Sequence, residues 1–237
     1  MKKRTELANY NHPLVKKIAE MLTDKEKSVR GKVEKLFYYV RDDIKFGFPQ
    51  ELDYIAASEV IRRKMGQCNN KGVLLFSLCK AINIPVRMHF SLIKKEIQRG
   101  LFTGLAYKLI PDKLSHCWVE VFIEDKWRNI DSYINDETYY NAAKKELRIR
   151  NWKTGYSVAC SSGESSSAYN IDEEKFVQMD AVTEDQGIWE NPSDYFFSDK
   201  YNNRESALKT FIVLNFIFPK VNKRVRKLRN SCNGGLC

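Results

Sequence analysis

A helix that is apolar on nearly every side has to be enclosed by other elements, and residues 68–83, CNNKGVLLFSLCKAIN, read as such a helix. Leu74, Leu75, Leu78 and Cys79 lie along it, Gly66 marks the turn before it, and Pro85 cannot continue it. The rest of the chain must therefore supply walls on several sides. With 237 residues, 43% hydrophobic and 12% aromatic, it has the material for a sizeable core, and one core domain with appendages is expected rather than two full domains.

The walls can be traced along the sequence. Residues 13–22, PLVKKIAEML, have helical spacing with proline at a favourable first position. Residues 32–44 repeat apolar side chains at Val33, Leu36, Phe37, Val40 and Ile44, so one stripe faces the core. A third helix covers residues 56–65. After the enclosed helix, PVRMHFSLI (residues 85–93) alternates as a strand does, and residues 100–113 read as a surface loop. SHCWVEVFI and KWRNID are two β-rich runs around a charged turn, hence a hairpin, and residues 136–149 start with acids and end with bases, which suits a helix macrodipole.

Beyond Arg150 the pattern weakens. Residues 160–170 are a Ser-rich loop. Residues 171–200 hold nine acids and two bases with no regular period, and residues 207–229 read as a helix interrupted at Pro219. The division expected is a core with N-terminal helices over 1–150, then an irregular acidic extension and a basic C-terminal helix packed on the core over 151–237. The apolar run 211–218 falls well short of the roughly 20 residues that span a bilayer.

The net charge of +10 is unevenly spread. Residues 220–229 carry six basic residues and no acid. No zinc-finger spacing or aromatic RNA-binding motif accompanies them, so nucleic acid is not an expected partner. A weak contact of this tail with an anionic membrane is the alternative to simple packing on the domain. The N-terminal residues carry early positive charge without an apolar run behind it, so no secretory signal is expected and the cytoplasm is the expected compartment. The six cysteines form no C-x-x-C pair; neither a metal site nor a disulfide framework is expected, and Cys232 and Cys237 in SCNGGLC read as a mobile end.

Chemistry enters at Cys68. A thiolate is the nucleophile in acyl transfer, and unpaired N–H groups at a helix start favour it. Such a thiol needs a base, and the chain has three histidines: His12 in the leading segment, His89 in the strand and His116 opening the hairpin. The base needs an orienting group, and Asp131 closes the same hairpin. If Ile123 to Lys126 form a four-residue loop, Phe122 pairs with Trp127 and Trp118 with Asp131, which sets Asp131 diagonal to His116 on one face. A three-residue loop places them on opposite faces.

These segments, GQCNNKGVLLFSLCKAINIPVRMHF followed by HCWVEVFIEDKWRNID, resemble the transglutaminase-like superfamily. The resemblance rests on Gly-x-Cys at a helix start, Ile-Pro-x-Arg at a strand entry, His-x-Trp-x-Glu-Val, and Trp-x-x-x-Asp, over residues 56–131. It implies an α+β fold with a papain-like core, the cysteine-bearing helix packed on an antiparallel sheet. It also implies Cys68 as nucleophile, His116 as general base and then acid, and Asp131 as the residue orienting the imidazole. The Cys68 backbone N–H is the natural oxyanion donor. Animal transglutaminases use an upstream tryptophan as a second donor, whereas the first tryptophan here is Trp118; Gln67 is the substitute, and Asn69 and Trp118 are further candidates to line the cleft.

The expected activity is therefore cysteine-dependent acyl transfer at a peptide or protein amide, with peptide or isopeptide hydrolysis through a thioester, and no cofactor or metal. Transamidation is the alternative within the class. A binding or scaffold domain that keeps the fold is the alternative outside it.

Overall fold

The computed structural model describes residues 6–160, 165–173, 176–204 and 206–232. Helix α1 (Pro13–Thr23) begins with proline in its first turn and His12 at its N-cap, where the ring Nδ1 accepts the Leu14 N–H at 3.1 Å. Helix α2 (Val29–Tyr38) is capped by Ser28, and one π turn over Tyr39–Asp43 carries it to the expected end of the second helical pattern. Short strands β1 (Lys45–Phe46) and β2 (Met65–Gly66) pair in parallel across α3 (Ala57–Arg63), which stops at Lys64 in the left-handed region, φ +52°.

Strand β2 runs through Gln67 into α4 (Cys68–Ala81), the enclosed helix. Every residue from Asn69 to Cys79 is buried. Strand β3 (Val86–Lys94) follows. Residues 100–113, read as a loop, carry one helical turn, α5 (Leu105–Lys108). The hairpin is β4 (Lys113–Ile123) and β5 (Lys126–Ile130), and α6 (Glu137–Ile149) comes next, capped by Asp136. Strands β6 (Thr154–Gly155) and β7 (Val158–Ala159) form a small antiparallel pair, and then come β8 (Val182–Trp189), α7 (Pro192–Phe197), α8 (Ala207–Ile212) and α9 (Phe218–Asn230).

This is an α+β fold in which helices pack on an antiparallel sheet of order β5-β4-β3-β8. Helix α4 lies between α1, α2 and α3 and the β3–β4 part of the sheet. The helix packs tightly at Gly72, where a Cβ would stand 2.7 Å from Cys117 Sγ and 2.8 Å from Tyr133 Oη. In the hairpin Phe122 pairs with Trp127, the register of the four-residue-loop alternative, and Ile123 with Lys126 closes the ladder one step further. Glu124 and Asp125, at φ +53° and +60°, form the two-residue turn whose twist suits a hairpin.

The extension differs from its sequence pattern. The acidic stretch expected to be irregular supplies β8, an edge strand antiparallel to β3 with two register irregularities. Its side chains are largely exposed, so it carries no apolar alternation to read. The C-terminal helix widens into a π turn at Val213–Ile217, ahead of Pro219, because the proline ring crowds the carbonyl four residues earlier. Helix α9 is fixed to the core: Asn222 bonds both backbone groups of Phe48, and Arg229 forks onto Asp136, with Nη2–Oδ2 at 2.7 Å. Among the described residues no helix is long and apolar enough to cross a membrane. Cys237, read with Cys232 as a mobile end, lies outside them.

Candidate active site

Cys68 is the first residue of α4, and Gln67 caps it in an extended conformation. The cap is fixed by side chains rather than by a loop: the Gln67 N–H donates to Asn70 Oδ1 at 3.1 Å, and Asn70 Nδ2 donates to the Leu52 carbonyl at 2.8 Å. The backbone N–H groups of Asn69 and Cys68 favour the thiolate and lower the thiol's pKa, as a helix start should. Burial raises it more, the negative charge of Asp53 adds to the rise, and the thiol lies well above its ordinary value. Cys68 therefore rests as a neutral thiol, not as the thiolate its helix position alone suggests.

Asp53, which no sequence motif singles out, is the hub beside it. This buried carboxylate accepts four hydrogen bonds: Gln67 Nε2 at 2.7 Å, Tyr201 Oη at 2.7 Å, Asn69 Nδ2 at 3.0 Å and Asn203 Nδ2 at 3.1 Å. Asn203 also ties β4 to this cluster, accepting the Ser115 N–H at 2.7 Å. Asp53 thus joins the cap of α4 to the C-terminal extension. Tyr201 and Asn203 lie in a part of the chain without readable periodicity, and Asp53 precedes α3 with no flanking signal.

Cys68, Gln67, Asp53 and Ser115 border a cleft of about 830 Å³, part of it open to solvent. Phe48, Phe102, Leu109, Val213 and Ile217 give it an apolar wall, so α5 and the C-terminal helices shape the space beside the thiol.

His116 is buried in β4, neither ring nitrogen has a hydrogen-bond partner, and burial lowers its pKa to about 3. Asp131 lies one residue past β5. Its carboxylate accepts the backbone N–H groups of Val177 at 2.6 Å, Gln178 at 2.7 Å and Met179 at 3.2 Å. Burial raises this carboxyl to about 7 despite those bonds. The hairpin ladder ends at Val119–Ile130, and one step further in the same register would set Asp131 opposite Trp118; no hydrogen bond joins Asp131 to His116, and none joins His116 to Cys68. Strand alternation puts Cys117 on the face toward α4, where its thiol donates to the Cys68 carbonyl at 3.8 Å, and puts His116 with Trp118 on the other.

The remaining candidates have structural partners. Both amide protons of Asn69 are engaged, by Asp53 and by the Ser115 carbonyl at 3.2 Å, and the side chain is buried away from the cleft wall. Trp118 stacks on His89 at 4.0 Å between ring centroids and donates to Asn129, so it packs the sheet rather than the cleft. Only Gln67 of these three borders the cleft; one of its amide protons goes to Asp53. His89 bridges Glu120 and Asp185, each at 2.6 Å, and His12 caps α1. Among the described residues no three His, Cys, Asp or Glu side chains converge as metal ligands.

Comparison with known proteins agrees with this architecture. Residues 16–132 match the family model of the transglutaminase-like superfamily, and this half of the chain, which contains α4 and the β3–β4–β5 sheet, belongs to it. Two solved structures are similar at 19% identity. One is a candidate cysteine protease from Cytophaga hutchinsonii, with a TM-score of 0.42, covering 54% of this chain and 39% of that one. The other is a candidate protease from Parabacteroides distasonis, with a TM-score of 0.36, covering 53% of this chain and 25% of that one. The chain thus spans well under half the length of either. No curated protein matches it significantly.

Proposed function

We propose that the chain is a cysteine-dependent acyl-transfer enzyme that hydrolyses peptide or isopeptide bonds through a thioester on Cys68. The observation that carries this reading is the placement of Cys68: first residue of α4, its sulfur under two backbone N–H groups, at the wall of a cleft that can hold an acyl group. The superfamily match over the same residues supports it.

With a neutral thiol and a neutral imidazole, the pair works by general-base catalysis rather than through a preformed ion pair. The Cys68 sulfur attacks the amide carbon as His116 takes the thiol proton, and the imidazolium returns that proton to the leaving amine. Water then cleaves the thioester, with His116 again as base. For this step His116 must come round from the sheet face that strand alternation gives it, and no hydrogen bond holds it there, since both its nitrogens are unpartnered. Asp131, held by the 177–179 backbone, favours the imidazolium by its charge. The Cys68 N–H and the second amide proton of Gln67 serve the oxyanion.

A second reading has its own observation. An imidazole whose pKa is held near 3, with no partner, also suits a binding domain that keeps the fold without the chemistry.

Digestion of a peptide library, with new termini read by mass spectrometry, separates the readings. Cleavage that is lost in both Cys68→Ala and His116→Ala supports the enzyme, and incorporation of an added primary amine into the acyl product marks transamidation. An intact library, together with alkylation of Cys68 that is indifferent to His116→Ala, supports the binding domain.

A further inference from the structure

The exposed apolar side chains of this molecule are gathered rather than scattered. Leu105 (71% exposed) and Leu109 stand on and just after α5; Leu208 (72%), Phe211 (57%), Ile212 and Phe216 (58%) stand on α8 and its π turn. Leu105, Leu109, Ile212 and Phe216 line one groove, and Lys220 and Arg224 line the same groove. Single exposed apolar residues need no explanation, but a contiguous patch of this kind marks a surface that meets something.

Charge says what it meets. No acidic residue follows Glu205 in the sequence. Arg229 is committed to Asp136 and Arg224 to the Leu101 carbonyl, whereas Lys220, Lys223, Arg226 and Lys227 are exposed along α9. Large apolar side chains, two of them phenylalanines in mutual contact at 6.3 Å, beside a run of unopposed lysine and arginine are the composition of a helix that lies in an anionic lipid interface.

We propose that α5, α8 and α9 form a docking surface for an anionic membrane. Leu105, Leu208, Phe211 and Phe216 enter the headgroup region, and the basic residues of α9 meet the negative headgroups. The docked side also adjoins the cleft: Ala106, Leu109 and Ile217 border both the surface groove and the cleft that Cys68 lines. Docking brings that shared wall of the cleft to the lipid surface, whether or not Cys68 is catalytic.

The test is co-sedimentation of the full chain with vesicles of phosphatidylcholine alone, or with roughly 30% phosphatidylserine, at low and high salt. The expected result is binding to the anionic vesicles that weakens with salt and is far weaker on phosphatidylcholine. The paired variants Phe211→Ser with Phe216→Ser, and Lys220→Glu with Lys223→Glu, each lower binding by about tenfold or more. These side chains are exposed, so thermal unfolding should be unchanged. Cys68→Ala binds like the wild type, which keeps this outcome separate from the fate of the catalytic reading. The proposal is overturned if the wild type stays in the supernatant, or if the phenylalanine variant binds undiminished. It is equally overturned if the wild type self-associates without lipid, ignores vesicles, and becomes monomeric on loss of the two phenylalanines; the patch then belongs to a second copy.

Discussion

Asp53 accepts a 2.7 Å hydrogen bond from Nε2 of Gln67, the residue immediately before Cys68. The carboxylate has two opposed effects. It fixes the cap of α4, and its charge adds to the burial that keeps the neighbouring thiol neutral. Asp53→Ala leaves the donors of Gln67, Asn69, Tyr201 and Asn203 without their acceptor, at about 1–3 kcal/mol for each buried group that finds no substitute, so a loss of about 3 kcal/mol or more in urea unfolding is expected. Asp53→Asn keeps the shape and removes the charge. In that variant Cys68 should alkylate faster than wild type at pH 7–8; an unchanged or slower rate would show that burial alone sets the thiol.

His116 and Asp131 should give stability slopes of opposite sign in acid. The folded pKa of His116, about 3, is below the ordinary histidine value of 6.5, so as pH falls through 6.5 the unfolded state takes up a proton that the native state refuses, and stability is lost. Relative to wild type, His116→Gln should gain about 2 kcal/mol between pH 8 and pH 5. The Asp131 carboxyl is raised from 3.8 to about 7, so its native form takes up a proton first and gains stability as pH falls from 7 towards 4. Asp131→Asn, which loses this, should fall relative to wild type over that range. Urea unfolding at several pH values measures both, and slopes of the same sign would contradict the burial of one of the two groups.

The parts of this molecule that announce themselves in the sequence are those whose side chains face a core. The enclosed helix α4 and the alternation of β3 and β4 follow from burial on fixed faces, and the Phe122–Trp127 register follows from a short turn. Strand β8 escapes because an exposed edge strand is held by backbone bonds that leave no mark on composition. The same holds at the site. Cys68 at the start of a helix is legible, but Asp53, Tyr201 and Asn203 come together only through tertiary folding from segments about 150 residues apart. The backbone of 177–179 claims Asp131 by donors that every residue type carries.

His89 gives a separate signal on the alkaline side. Burial disfavours its charged form, but the bonds to Glu120 and Asp185 outweigh burial and raise its pKa above 6.5. A raised histidine contributes stability that is complete below its unfolded pKa and is lost as pH rises through the folded one. Wild type should therefore lose stability above pH 6.5 in a way that His89→Gln does not. An NMR titration of the ring that showed a midpoint at or below 6.5 would remove this explanation of how β8 is held to β3 and β4.

At Gly72 the thiol-bearing helix packs tightly on Cys117 and Tyr133, an approach that the absence of a side chain permits. A methyl group there would overlap Cys117 Sγ at 2.7 Å and Tyr133 Oη at 2.8 Å. Such overpacking costs about 1–3 kcal/mol, while alanine's better helix propensity returns up to about 1 kcal/mol, so Gly72→Ala should be destabilised by about 1–2 kcal/mol. Adding Cys117→Ala removes one of the two obstacles, and the pair should be less destabilised than the sum of the single variants by about 1 kcal/mol. Strict additivity in urea unfolding would mean that the helix yields elsewhere. Because Cys68 lies one turn before Gly72 on the same helix, a shift of α4 that relieves the clash also moves the thiol. Gly72→Ala alone should therefore alter the alkylation rate of Cys68, and the double variant should restore it towards wild type.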